Sequence, residues 1–432
     1  MFDNDAYQKR IEWYLHDRFG MFIHWGLYAI PARGEWVRSV EQMPEEEYLP
    51  FFDEFNPTAF DPREWARAAK QAGMKYAVLT AKHHDGFCLF DSKLTSFKST
   101  NTQCGRDLVQ DFLEAFRAEG LKVGLYYSLL DWHHPDYPHC GDLNHPMRNH
   151  PEHSNENRDF SRYLDYMHGQ VRELCTNYGK LDVMWFDFSY GELCGEAWRA
   201  TELTRMIRSF QPDVIIDNRL EVSGTGFGSL ATANPSEFCG DFVSPEQIIP
   251  PNGLKNADTG ADLVWEACIT MNDNWGYHAR DKHFKPVSLL VHKLVECISK
   301  NGNMLLNVGP DATGRIPRES LDILSGIGGW MSRNSASVYG CRDAGLPKPE
   351  NGRITRNGNK LYFHITENAI GDVPLYGVRR ADVKKIRLLC DGSELKVSDT
   401  WIVNNYPDVV FVHLSDTPHL PDEIDTVVEV EV

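Results

Sequence analysis

Six short apolar segments, joined by helical stretches with readable ends, constrain this chain more than any other feature. They are Phe19–His24, Lys75–Thr80, Lys122–Tyr127, Leu181–Asp187, Val214–Asp217 and Asn303–Val308. Asp61 and Pro62 form an N-cap and a first helical position. Trp65, Ala68, Ala69 and Ala72 then line one face, and Gly73 stops the helix. Asp107 caps a second helix, with Val109, Phe112, Leu113 and Phe116 on one face and Gly120 at its end. A third runs from about Phe160 through Tyr163, Leu164 and Met167 to Gly179. Strand–helix repetition of this kind demands a parallel sheet. More than five units predict a (β/α)8-like (TIM) barrel, whose chemistry sits at the C-terminal ends of the strands. A doubly wound sheet is the competitor, but no G-x-G-x-x-G follows the first strand.

The texture changes after about Gly340. Leu361–Ile365, Lys385–Leu389, Val409–Leu414 and Thr426–Val432 read as short strands, separated by turn signals such as Asn357-Gly358 and Asp391-Gly392. Residues 1–340 are therefore expected to form the barrel and residues 341–432 a C-terminal antiparallel β-domain, joined through Gly345–Pro349. The link is short and has few flexible polar residues, so the β-domain should rest on the barrel.

Composition narrows the function. Hydrophobic residues are 42% of the chain, which excludes global disorder. A formal net charge of −18 repels phosphate backbones, so nucleic acid is not an expected partner. No run of about 18 apolar residues offers a membrane span. The start, MFDNDAYQKR, is polar and lacks the apolar core of a secretory signal. The ten cysteines are scattered between Cys88 and Cys390 without a C-x-x-C pair, which fits reduced thiols and a cytoplasmic location.

The barrel reading tests itself at the strand ends, where polar groups should gather. Phe22-Ile23-His24-Trp25-Gly26 closes the first strand and Thr80-Ala81-Lys82-His83-His84-Asp85-Gly86-Phe87 the second. Tyr126-Tyr127-Ser128 closes the third, followed by Asp131-Trp132, and Trp185-Phe186-Asp187 the fourth. A lone strand-end His can simply satisfy a hydrogen bond, and Asp187 could cap the following helix. His83 and His84 could be metal ligands with Asp85, but neighbours on a strand point to opposite faces unless a bulge intervenes. Aromatic faces stack on sugar C–H faces while His, Lys and Asp bind hydroxyls, so this set suits a neutral carbohydrate. Either sugar binding without catalysis or glycoside hydrolysis would use it, and hydrolysis needs two carboxylates. Asp187 is the first candidate, because it ends a strand face shared with Val183 and Trp185. Asp182, at the start of that strand, belongs to the opposite end of the barrel and reads as structural.

At these residues the chain resembles the α-L-fucosidases of glycoside hydrolase family 29. The resemblance rests on Arg18–Gly26, Gly34-Glu35-Trp36, Lys82–Phe87, Tyr126-Tyr127-Ser128, Met184-Trp185-Phe186-Asp187, Trp265-Glu266, Trp275-Gly276-Tyr277 and Asn301–Pro310, in the family's order. It implies a barrel followed by a β-sandwich, an exo-acting retaining α-L-fucosidase working through a covalent glycosyl-enzyme, and no metal or other cofactor. The implied partner is a fucosylated oligosaccharide or glycan. Family members are often homo-oligomers, though no interface is readable here. By motif, Asp187 corresponds to the nucleophile, and His24, Trp36, His83, His84 and Tyr126 to residues that hold fucose. Glu35 is a looser carry-over to the same role. Phe186 departs from the polar residue that many members carry before the nucleophile.

The acid/base has four candidates, Glu237, Asp241, Glu246 and Glu266. In the family it generally lies on a loop beyond the fifth strand, upstream of the Trp-Glu pair. That disfavours Glu266, which sits in the strand-like run Leu263–Ile269. Glu246, in Ser244-Pro245-Glu246-Gln247, resembles the Thr-Pro-Glu-type segment of many relatives. It lies 59 residues beyond Asp187, compatible with a long loop reaching back over the pocket.

Overall fold

The computed structural model describes residues 3–139, 142–150, 154–224 and 226–432. Seven strands form one parallel sheet: β1 (Phe19–Ile23), β2 (Tyr76–Lys82), β3 (Lys122–Ser128), β4 (Val183–Asp187), β5 (Ile215–Ile216), β6 (Glu266–Thr270) and β7 (Asn303–Val308). Their spatial order is β5-β4-β3-β2-β1-β7-β6. Nearly all of their residues are buried, as a sheet covered on both faces requires. The expected caps operate: Asp61, Asp107 and Asp159 accept from the backbone N–H groups of Arg63, Gln110 and Ser161 at three helix starts. Helices Ala200–Phe210, Val287–Ile298 and Arg318–Asn334 extend the outer ring.

Seven strands do not close a barrel, and the gap lies between β5 and β6. Residues 242–246 fill it without making a regular strand. Parallel bridges pair Asp217 with Phe242, Val243 with Trp265, and Glu246 with Cys268. Gly240 starts this wedge at φ +81, where a Cβ would meet the Asp217 carbonyl oxygen at 2.2 Å, so only glycine fits the approach. Glu246 therefore ends a piece of barrel wall. It does not sit on a long loop reaching back over the pocket, as its spacing had suggested.

The barrel interior forms its own apolar cluster, with Phe22, Tyr76, Val78, Tyr126, Val183, Trp185, Ile215, Phe242, Cys268 and Leu305 facing inward. Helix Asn4–Asp17 plugs its lower end with Ile11 and Tyr14. The upper, C-terminal end is left for chemistry.

Beyond the barrel lie two antiparallel sheets. Five strands, β8 (Arg342–Asp343), β9 (Gly352–Asn357), β10 (Lys360–Ile365), β12 (Lys385–Leu388) and β15 (Thr426–Glu431), run in the order β12-β15-β10-β9-β8. Three more, β11 (Val373–Tyr376), β13 (Lys396–Val397) and β14 (Val409–His413), form the second sheet. Leu361, Phe363, Val428 and Val430 meet Val373, Leu375, Val410 and Val412 between the sheets. The alternating Tyr362 and Val427 belong to the barrel's outer core instead. The sandwich thus rests on the barrel through one sheet face. His364 Nδ1 meets Asp425 Oδ2 at 2.6 Å, and Trp330 donates to the Asp425 carbonyl at 2.9 Å across this contact. β8 already pairs with β9, so Gly345–Pro349 is a turn inside the antiparallel unit and not a tether between units.

Candidate functional site

At the upper end of the barrel, twelve side chains close around a pocket of about 340 Å3, its open mouth included. Phe22 and Trp185 line it from inside the barrel, with Cys268 of β6 beside them. His24, Trp36, His83, His84, Tyr126, Asp187 and Glu246 all line it. Seven of the eight residues singled out from the sequence therefore meet in one place.

Glu35 is the exception. It is not among the twelve; its carboxylate is buried and accepts the Gly276 N–H at 2.7 Å. It holds the Trp275–Gly276 turn, whose Trp275 side chain lines the pocket. Burial pushes its pKa up to about 7, with Glu246 adding to the rise and the backbone N–H groups opposing it.

Asp187 ends β4, and both of its oxygens are held. Tyr126 Oη donates to Oδ2 at 2.9 Å, and Arg219 Nη1 donates to Oδ1 at 2.6 Å. Burial, with Asp187 beside it, holds the Tyr126 phenol well above its ordinary pKa, so it remains a donor. Asp187 caps nothing, since the next helical turns begin at Gly195 and Ala200. Phe188, directly after it, sits at φ +79, a conformation a bulky residue rarely takes.

Arg219 is the residue that sequence reasoning passed over. It follows β5 in Asp217-Asn218-Arg219, a polar trio at the C-terminal end of a barrel strand, which is the signal that could have found it. Its guanidinium lies 4.5 Å above the Trp185 ring. Nε donates to Ser244 Oγ at 3.0 Å and Nη2 to the Ser244 carbonyl at 3.1 Å. Nη2 also reaches Glu246 Oε2 at 3.1 Å. One guanidinium thus binds both carboxylates. Burial alone would discharge it, but Asp187 and Glu246 hold its pKa well above the ordinary value.

Glu246 also accepts from Trp275 Nε1 at 3.2 Å. Its side chain is 44% exposed against 12% for Asp187, so solvent reaches one carboxylate and hardly the other. The other candidates lie elsewhere. Asp241 is fully buried between Arg10 and Arg208, at 2.8 and 2.5 Å, and also accepts the Ile216 N–H. Glu237 pairs with Arg205 at 2.6 Å. Glu266 begins β6, at the lower end of the barrel, and accepts from Tyr76 Oη. Asp182 likewise sits low, accepting the Val123 N–H at 2.9 Å.

The three histidines are neutral. Burial drives the pKa of His24 down to about 3, only partly opposed by its hydrogen bond to Asn307. Burial likewise lowers His83, with His84 and His24 adding to it, and lowers His84, with Lys82 and Arg219 adding to it. Hydrogen-bond partners assign the tautomers. Asn307 Nδ2 donates to the Trp275 carbonyl, so its Oδ1 accepts His24 Nδ1–H at 2.7 Å. Ser128 Oγ donates to the Leu130 carbonyl and accepts His84 Nδ1–H at 2.6 Å. In both rings Nε2 is left as an acceptor, and the buried Nδ1 of His83 has no partner. Such a pocket offers acceptors to hydroxyl groups.

The strand-alternation argument against His83 and His84 acting together does not hold. The β2–β3 register shifts between Thr80 and Lys82, and β2 ends at Lys82, so both rings follow the strand and stand 4.0 Å apart facing one pocket. No third donor joins them at ligand spacing; among the described residues only Asp273, Asp281 and His283, outside the pocket, form such a group. Lys82 and Asp85 do structural work, paired with Asp131 at 3.0 Å and with Tyr48 at 2.7 Å.

The family model described as alpha-L-fucosidase matches residues 2–336. The alpha-L-fucosidase of Dictyostelium discoideum is 29% identical, over 76% of this chain and 71% of its own length. The solved structure of alpha-L-fucosidase isoenzyme 1 from Paenibacillus thiaminolyticus shares 58% identity, with a TM-score of 0.95 over 99% of both chains. A fucosidase of Bacteroides thetaiotaomicron, trapped as a covalent intermediate with 2-fluoro-fucosyl fluoride using a glutamate-to-glutamine mutant, shares 29% identity with a TM-score of 0.82, over 98% of this chain and 96% of the other.

Proposed function

This chain belongs to the α-L-fucosidase family, and on that premise we propose that it removes terminal α-L-fucosyl groups from oligosaccharides or glycoconjugates. It is a glycoside hydrolase, and the covalent intermediate trapped in its Bacteroides relative supports a retaining course. The observation that carries the detailed reading is the guanidinium of Arg219 shared by Asp187 and Glu246. Retention asks for carboxyl groups about 5–5.5 Å apart, and two carboxylates within reach of one guanidinium suit that requirement.

In this reading Asp187, aimed by Tyr126 and Arg219, attacks the anomeric carbon. Glu246 protonates the departing oxygen and then takes a proton from the incoming water. The use of a glutamate-to-glutamine mutant in trapping the Bacteroides intermediate supports a glutamate in that second role. The guanidinium of Arg219 contacts both carboxylates, so it can hold each in place through both steps. His24, His83 and His84 accept hydroxyl hydrogens of the sugar, and Trp36 closes its side. Glu35 acts through the Trp275–Gly276 turn. Buried, unpaired thiols such as those of Cys88 and Cys297 support a cytoplasmic setting.

The test is a panel of linkage-defined fucosylated oligosaccharides, with the first-formed anomer read by NMR. Release of α-L-fucose as the initial product is expected. Initial β-L-fucose, or no release from any linkage, would overturn the reading.

A further inference from the structure

The pairing of β4 with β5 stops at Val183 with Ile215 and Met184 with Ile216, although β4 runs on to Asp187. The Asp217 N–H still donates to the Met184 carbonyl, at 3.4 Å. The next donor along β4 is the Phe186 N–H, which a continuing parallel ladder would give to a backbone carbonyl of the neighbouring strand. Here a side chain takes it: Asp217 Oδ1 accepts the Phe186 N–H at 2.9 Å. The backbone meanwhile turns away into Asn218–Leu220, the short helical turn that carries Arg219. One carboxyl group is thus fastened one residue before Asp187 and belongs to the residue two before Arg219.

That carboxyl group is fully buried, and its Oδ2 has no hydrogen-bond partner among the described residues. A buried carboxylate with a bare oxygen is costly, so the geometry suits the neutral acid. Burial holds its pKa well above the ordinary value; Asp187 adds to the rise, while the charge of Arg219 and the N–H groups of Phe186 and Arg219 oppose it. The wedge on the other side supplies no further charge to it. Phe242 bridges to Asp217, Asp241 is taken up by Arg10, Arg208 and the Ile216 N–H, and Glu246 pairs with Arg219. A charged Asp217 would compete with Asp187 for the Arg219 guanidinium.

We propose that Asp217 is a positioning residue for the nucleophile: its carboxyl group supplies the missing rung between β4 and β5, which sets Asp187 against Arg219, and it does so uncharged. The proposal rests on the reading of Asp187 as the nucleophile.

The test compares Asp217→Asn, which keeps an acceptor for the Phe186 N–H and never ionises, with Asp217→Ala, which keeps none. Rates are taken per pocket, counted by calorimetric titration with a fuco-configured iminocyclitol. Asp217→Ala should lower kcat by about 10²-fold, the scale of a slightly misplaced reacting group. Its KM should move less than about threefold, because the histidines that hold the sugar follow β1 and β2. Asp217→Asn should keep kcat within about threefold of wild type. An alanine variant with normal kcat per pocket, or an asparagine variant as slow as the alanine one, overturns the proposal. A second readout needs no alanine variant. With α-L-fucosyl fluoride, whose fluoride departs without proton transfer, the alkaline fall of kcat/KM should lie at higher pH in Asp217→Asn than in wild type. Only wild type gains a charge there as pH rises, and coincident profiles would overturn the proposal. If Asp187→Ala stays active, the nucleophile reading fails instead, whatever the Asp217 variants do.

Discussion

The barrel has two unlike arcs. From β1 to β4 the strands pair in parallel ladders of several residues, with one register shift near the end of β2, and Ser128 lies directly opposite Asp187 at their upper end. From β5 to β6 there is no ladder, only a two-residue strand and three single bridges to residues 242–246. The regular arc contributes His24, His83, His84, Tyr126 and Asp187, and the irregular arc Arg219 and Glu246. What the second arc lacks in backbone pairing it replaces with side chains. Asp241 ties Arg10, Arg208 and the Ile216 N–H together, and Asn218 Oδ1 accepts the Ser244 N–H at 3.1 Å. A backbone register positions the buried carboxylate of Asp187, while side-chain staples hold the more exposed carboxylate of Glu246.

The largest effect should come from the regular arc. Asp187→Ala is expected to lower turnover of every fucoside by about 10⁴-fold or more, as loss of a nucleophile does. Circular dichroism should be unchanged, and added azide should give β-fucosyl azide. A variant keeping a tenth of the wild-type rate would remove Asp187 from the chemistry.

The irregular arc should answer selectively. Glu246→Ala is expected to cost about 10²–10⁴-fold on oligosaccharides, the usual worth of general acid catalysis. Fucosylation of the enzyme by aryl fucosides with good leaving groups should be nearly spared. Azide should then yield the α-anomer, opposite to the Asp187 rescue. Wild-type behaviour on an oligosaccharide would pass the role to another group.

Arg219→Lys probes the link between the arcs. A single ammonium cannot serve two carboxylates in the planar fork geometry, so kcat/KM should drop by about 10²-fold, comparable with losing one preorganised donor. If lysine restores most of the activity, charge alone suffices and the shared-fork account is wrong.

The smallest effect is a pH dependence that belongs to the lower end of the barrel. Burial raises the Glu266 pKa from 4.5 to about 7, with Tyr76 and Tyr14 partly opposing it. The folded state therefore holds a proton that the unfolded state releases. Stability contributed by this group is intact below pH 4.5 and declines as pH rises towards 7, by at most about 1.4 kcal/mol per unit. Urea melts between pH 5 and pH 8 should show wild type losing stability relative to Glu266→Gln over that window; parallel curves would refute it.

Much of the regular arc was legible because its signals are local. Helix caps act over two or three residues, apolar runs mark strands, and the strand ends carry the polar side chains. Asn303–Val308 is a strand over the expected residues, and Phe19–His24 and Lys122–Tyr127 differ from the observed strands by one residue. Val214–Asp217 shrank to two residues, because its neighbour on one side is an irregular wedge that cannot sustain a ladder. The facing of His83 and His84 escaped the period-two rule because a register shift and a strand end intervene.

The sequence by itself determined the succession of strands and helices, the change to antiparallel structure after Gly340, and the placing of Asp187 at the end of an inward-facing strand. Tertiary structure alone decided that residues 242–246 complete the barrel wall, that Glu35 holds the backbone of Gly276, and that Arg219 joins two carboxylates. The reason is range. Caps and periodicities bind residues a turn apart, whereas Arg219 meets partners 32 and 27 residues away and Glu35 meets one 241 residues away. Only closure of the barrel brings such groups together.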